Sequence, residues 1–193
     1  MATATIPDTR ERIMRTTIDL IGREGIGAVT NRRVADAAGV SLGSLTYHFD
    51  SQLDLVRESL MLMVGEEVAR LEAIAGELRR VRPSIEQVAA EVERVARESL
   101  RRVQEVAEIE LHLQAARDPE LGEASRRCFV AYEAVAEAAL EALQVPDAGR
   151  HARSIVALMY GFALRRLGTG EEDVSGLGEA LLTIVRGAQA DAG

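Results

Sequence analysis

A chain of 193 residues, 47% apolar but only 3% aromatic and without Trp, suits one compact domain or a small head on a larger body; this composition argues against disorder, and a core of Leu, Val, Ile and Ala favours closely packed helices. Its single cysteine, Cys128, excludes an internal disulfide and fits a reducing cytoplasm, and no segment reads as a signal peptide or an uninterrupted membrane span. The net charge of -8 argues against a uniformly basic surface, but the deficit is uneven: residues 1–60 hold seven Arg against eight acids and the remainder sixteen against twenty-three, so polyanion affinity in the first part depends on where its arginines point.

Helix signals recur along the chain and strand signals do not, which predicts an all-α fold of about nine helices. Asp8 with Glu11 is a capping-box start for the first helix, and Ile13, Thr17, Leu20 and Ile21 fall on one face before Gly25 and Gly27 stop it. Thr30 opens a short second helix over Asn31–Ala38, with Val34, Ala35 and Ala38 inward, and Gly39 suits a left-handed stop. Ser41 caps a third helix ending near Phe49. Ser51 with Asp54 starts a long fourth, to about Ala75, followed by an arginine-rich linker over 79–82 and Pro83. Ser84 with Gln87 caps a fifth helix that runs on, or kinks, into a sixth ending near Arg117. Asp118-Pro119 restarts the chain, because Pro at the first helical position loses no needed donor. The seventh helix runs to about Leu143, an eighth follows Pro146-Asp147 to near Gly168, and a ninth spans 175–190 after a loop at 169–173. A head of residues 1–50 and a helical body of 51–193 are expected.

The informative stretch is 30–55, TNRRVADAAGVSLGSLTYHFDSQLDL, in which two short helices meet at Ala38-Gly39-Val40-Ser41, a turn of helix-turn-helix length. Leu45 and Phe49, four apart, face inward on the second of them. Leu42, Gly43, Ser44 and Thr46 remain for an outward face that is small enough to enter a major groove. A helix destined only for a core would carry more bulk there.

With Thr30, the VADAAGVS turn, the TYHF ending, and Ser51 followed by Asp54, residues 8–60 resemble the TetR family of one-component regulators. The resemblance implies a three-helix helix-turn-helix head and a C-terminal helical domain for effector binding and dimerisation. It implies phosphate contacts from Thr30, Asn31 and Arg32, base-edge contacts from Leu42, Gly43, Ser44 and Thr46, and a DNA-backbone anchor from Tyr47 and His48. Arg33 is a candidate for either a base or a phosphate. Gln52 departs from the family, which usually places Lys there. The four outward positions include no Arg, Asn or Gln, so bidentate base readout is missing from that face; readout falls to Ser44, Thr46, thymine-methyl contact by Leu42, and DNA shape.

In the body, Leu60, Met61, Leu62, Met63 and Val64 make the fourth helix apolar nearly all round. Core packing is the plain reading; the resemblance adds an effector cavity beside this helix, for which Met61, Met63, His112, Phe129 and Tyr132 are wall candidates. So few aromatics imply an aliphatic cavity and a largely apolar small-molecule effector. The last two helices carry more apolar surface than one side can bury, which makes Ile155, Met159, Phe162, Leu181, Ile184 and Val185 candidates for a homodimer interface. Glu108 and His112 lie one helical turn apart, a spacing that suits two metal ligands, but no third is evident, so a partly buried or solvated pair is preferred. Cys128 reads as a small buried hydrophobe.

No cofactor, no metal and no enzymatic activity are expected, since no nucleophile–base pair, metal set or phosphate-binding glycine loop appears. The expectation is a cytoplasmic, ligand-responsive repressor that binds double-stranded operator DNA as a homodimer. The alternative is a helical small-molecule-binding or interaction protein without operator binding. With Gln52 unable to neutralise a phosphate, intrinsic affinity is expected to be weak and its salt dependence shallow. Gln52→Lys should tighten binding and steepen the log–log salt slope by about 0.9 per head; titrations at several salt concentrations that leave affinity and slope unchanged would refute this view of position 52.

Overall fold

The structure is a computed structural model that describes residues 8–80, 83–84, 87–88, 102–170 and 175–190. Among these, eight α-helices and no strand are found: α1 (Thr9–Glu24), α2 (Asn31–Ala38), α3 (Leu42–His48), α4 (Gln52–Leu78), α5 (Arg102–Ala115), α6 (Pro119–Ala142), α7 (Ala148–Thr169) and α8 (Ser175–Ala190). A 3-10 turn, Ile26–Ala28, follows α1. The helix expected after Ser84 lies largely outside the described residues. Its predicted box is nonetheless in place: the Gln87 N–H donates to Ser84 Oγ at 3.3 Å and the Ser84 N–H to Gln87 Oε1 at 2.8 Å.

Two compact units are formed, one from residues 1–65 with 102–125 and the other from 66–101 with 126–193. In the first, α1 buries Ile13, Met14, Thr17, Leu20 and Ile21, the stripe expected from the 3.6-residue period. Asp8 occupies the N-cap, yet its side chain makes no capping bond. The expected reciprocal bond from Glu11 is also absent; its Oε1 instead accepts from Arg15 one turn on, at 2.7 Å. Val34 and Ala35 of α2, Leu45 of α3, and Leu55 and Leu60 of α4 close the same core, with Phe49 between α3 and α4. Burying each such Leu or Phe side chain contributes roughly 1.5–3 kcal/mol. Two hydroxyls in the interior are satisfied within their own helices: Thr17 donates to the Ile13 carbonyl at 2.9 Å and Ser59 to that of Leu55 at 2.6 Å.

α1 packs extensively on α5, and the contact is a close one. A Cβ placed on the buried Gly22 would overlap the Val103 carbonyl, so only glycine lets the two backbones approach this far. Around the apolar segment of α4, Leu60 and Val64 are buried, Leu62 and Met63 half-buried, and Met61 exposed.

In the second unit, Leu140 and Val145, Ala152 and Ile155 of α7, and Leu177, Leu181, Val185 and Ala188 of α8 form one core cluster. Leu158, Met159, Phe162 and Ile184 pack half-buried along its edge. Between α6 and α7, Gln144 and Asp147 both adopt left-handed backbone (φ 57° and 49°), and α7 starts one residue beyond the predicted Pro146-Asp147.

Gly22→Ala should therefore destabilise the protein by about 1–3 kcal/mol, since backbone rather than a flexible side chain must yield. Gly65, exposed in α4 with open space where a methyl group would stand, supplies the contrast. Gly65→Ala should stabilise by roughly 0.5–1 kcal/mol through helix propensity. Urea midpoints of the two variants against wild type check both signs.

Candidate nucleic-acid interface

The turn between α2 and α3 is set by backbone chemistry. Gly39 is left-handed (φ 65°, ψ 37°), and the Val40 N–H reaches back to the Ala35 carbonyl at 3.0 Å, closing the end of α2. Thr30 caps the start of α2 by accepting from the Arg33 N–H at 3.2 Å, and Ser41 caps α3 by accepting from the Ser44 N–H at 3.0 Å. Ser51 caps α4 through the Asp54 N–H at 3.0 Å; Asp54 reaches back to the Asp50 N–H at 3.3 Å. The starts of α2, α3 and α4 are thus held by short hydroxyl side chains, and the end of α2 by a glycine.

These caps orient α3 so that Leu45 and Phe49 are buried while Leu42 (49% exposed), Gly43 and Thr46 face outward and Ser44 is half-buried. Thr46 turns its hydroxyl onto its own helix, donating to the Leu42 and Gly43 carbonyls at 3.1 and 3.2 Å, which leaves its oxygen able to accept. Tyr47 is 86% exposed and meets half-buried His48 edge-on at 5.2 Å between ring centres. Thr30, Arg32, Arg33 and Gln52 are exposed; Asn31 is half-buried, with its Oδ1 buried and unpartnered among the described residues. Arg33 is not idle: its Nη2 donates to both carboxylate oxygens of Glu24, at 2.5 and 2.6 Å.

The helix carrying Gln52 is anchored by Arg57, whose guanidinium donates to Asp118 Oδ2 at 2.9 and 3.0 Å. Asp118 is also the cap of α6, accepting from the Glu120 and Leu121 N–H groups at 3.0 and 3.3 Å. Burial alone would raise this carboxyl, but the hydrogen bond from Arg57 and those two backbone donors outweigh it and hold Asp118 below the usual carboxylate range. Sequence reading found Asp118 as a helix start; its partner 61 residues away left no local signal.

The effector candidates are divided between the two compact units. Met61, Met63 and His112 belong to the first unit; there His112 Nδ1 pairs with Ser125 Oγ at 2.8 Å, and Nε2 lies 3.9 Å from Glu108. Among the described residues no group of three His, Cys, Asp or Glu is arranged to hold a metal ion. Phe129 and Tyr132 belong to the second unit, where both meet Tyr160, at 5.0 and 5.8 Å between ring centres. Tyr132 donates to Glu67 Oε1 at 2.8 Å. Burial pushes the Glu67 carboxyl up, but hydrogen bonds from Arg70 and Tyr132 bring it below its ordinary value. Tyr160 and Glu67 are the members that sequence reading missed, and no local signal in the chain marks them.

Of the dimer candidates, Ile155, Leu181 and Val185 are buried in the chain's own core, so their side chains are already taken up internally. Met159, Phe162 and Ile184 keep partial exposure, and Leu164, not selected from sequence, is 58% exposed on α7. Cys128 is buried. No helix among the described residues is long and apolar enough to cross a membrane.

The family model described as bacterial regulatory proteins, tetR family, matches residues 13–58, and that of the tetracyclin repressor-like C-terminal domain matches 83–190. A solved member of the TetR family from Streptomyces coelicolor is 30% identical over 93% of this chain and 99% of that one, with a TM-score of 0.72. The multidrug binding protein EbrR, solved with imidazole, is 30% identical over 93% of this chain and 96% of that one, with a TM-score of 0.69. EbrR solved with ethidium is 30% identical over 92% of this chain and 99% of that one, with a TM-score of 0.66. None of the curated proteins compared matches the chain.

The Arg57–Asp118 pair makes stability depend on pH with a definite sign. A depressed carboxyl contributes fully above its unfolded value, near 3.9, and loses that contribution as pH falls through the lower folded value. Asp118→Asn keeps a capping oxygen but removes the charge. The variant should be less stable than wild type at pH 7, and the gap should narrow below about pH 4; parallel denaturation at pH 7 and pH 3 measures it.

Proposed function

Because this chain belongs to the TetR family of bacterial regulatory proteins, we propose that it is a homodimeric repressor that binds double-stranded operator DNA and leaves it when a small-molecule effector binds. The observation that carries this is the exposed small-residue face of α3, set beside the capped start of α2 by the Gly39 turn. In this reading residues 1–50 bind DNA and 51–193 bind effector and partner subunit. Leu42, Gly43, Ser44 and Thr46 meet base edges, Tyr47 and His48 lie on the sugar-phosphate backbone, and Thr30, Asn31, Arg32 and Gln52 meet phosphates.

Dimerisation is assigned to the outer edge of α7 and α8, where Met159, Phe162, Leu164 and Ile184 retain exposed apolar area. A two-fold pair of heads then reads half-sites one helical turn of DNA apart, about 34–36 Å. The effector is an organic molecule with a largely apolar body. Support comes from the rings of Phe129, Tyr132 and Tyr160, which offer stacking surface, and from EbrR, which was solved with the aromatic compounds imidazole and ethidium. Effector that prefers one body conformation shifts the population of head spacings, and a small change in spacing misaligns both half-site contacts. The protein acts by binding, with no catalytic step and no cofactor, in the cytoplasm.

A gel shift on DNA upstream of its own coding region tests the reading. Wild type should retard that DNA. Tyr47→Ala with His48→Ala should abolish retardation while sedimentation still reports a folded dimer, because Tyr47 carries little of the core. Undiminished retardation by the double variant would remove both residues from the interface.

A further inference from the structure

The seven arginines of residues 1–60 are not equally available. Five face carboxylates: Arg10 pairs with Glu58, Arg15 with Glu11, Arg23 with Asp19, Arg33 with Glu24 and Arg57 with Asp118. Two of these pairs are ordinary one-turn pairs along α1, and Arg57 is tied to the α6 cap. The Arg33–Glu24 pair differs. It joins the last residue of α1 to the first turn of α2, its side chains are 51% (Arg33) and 36% (Glu24) exposed, and it stands beside Thr30, Asn31 and Arg32 at the proposed phosphate-facing end of α2.

We infer that Glu24 sets the DNA affinity of this head by holding Arg33 away from phosphate; the inference rests on the operator-binding reading above. A paired guanidinium and carboxylate carry no net charge, so Arg33 releases no counterion from DNA while the pair is closed. Only Nη2 is engaged, so another guanidinium N–H can still touch a phosphate, but to give its full charge to that phosphate Arg33 must leave Glu24, which exposes an uncompensated carboxylate beside a polyanion. Exposed pairs are weak and exchange readily, so the contact is latent and not blocked outright. Arg32, which has no carboxylate partner among the described residues, is the cation of this end that meets DNA without such exchange. Glu24 thereby adds to the weakness already expected from Gln52.

A double-mutant cycle separates this from simple removal of a negative charge. Wild type, Glu24→Gln, Arg33→Ala and the double variant are titrated against a duplex enriched by wild type from a random-sequence pool, at several salt concentrations. Glu24→Gln should bind at least about threefold tighter at low salt, with a log–log slope steeper by about 0.9 per head. The gain from Glu24→Gln should vanish in the Arg33→Ala background, whatever affinity Arg33→Ala itself shows. Thermal midpoints close to wild type establish that the variants are folded, and Glu24→Ala provides a second neutralising variant. An unchanged Glu24→Gln, or a gain that survives loss of Arg33, overturns the inference while leaving operator binding intact. Failure of wild type to enrich any duplex instead removes the operator reading, and this inference with it.

Discussion

The close backbone approach of α1 and α5 at Gly22 is the constraint from which the first unit follows. Without a side chain at that position the Val103 carbonyl lies against α1, and the opposite stripe of α1 is free to bury Ile13, Leu20 and Ile21. α2 and α3 then pack on α1, so the helix that presents the small polar face is supported by α5, a helix from the middle of the chain. A mechanical consequence is that residues 102–125 belong to the same compact unit as residues 1–65. The Arg57–Asp118 pair adds a second tie within that unit, between α4 and the first turn of α6.

Polar side chains do two jobs in this unit, and the chemistry keeps them distinct. Thr30, Ser41 and Ser51 are short and sit at helix starts, where their oxygens satisfy backbone donors that would otherwise be orphaned. The arginines are long and mostly paired with acids of the same unit. Near-neutrality of residues 1–60 is thus a local arrangement as well as a net count. The interface proposed above would rely on shape, hydroxyls and a few cations, giving modest affinity per head that the proposed two-fold pairing would multiply.

The second unit divides its apolar residues by depth. Leu177, Leu181 and Val185 are buried against α7, while Met159, Phe162 and Ile184 stay at the margin. Periodicity could identify all of these as apolar helix positions but could not rank them, because burial depends on which neighbour arrives. The same holds for Tyr160, which meets Phe129 and Tyr132 only because α6 and α7 lie side by side.

The sequence by itself determined the all-helical class, most helix starts and stops, the inward and outward faces of α1 to α3, and the resemblance that the comparisons bear out. Those features are local: caps, glycine backbone freedom and a 3.6-residue stripe act over one or two turns. It misjudged Glu11, whose carboxylate pairs with Arg15 one turn on and makes no capping bond. Only the tertiary structure decided the Gly22–Val103 approach, the Arg57–Asp118 and Tyr132–Glu67 pairs, and which of the two units each of the five effector candidates belongs to. Each depends on residues far apart in the chain, or on the packing of whole helices, and chain-local chemistry carries no record of which distant surface will arrive.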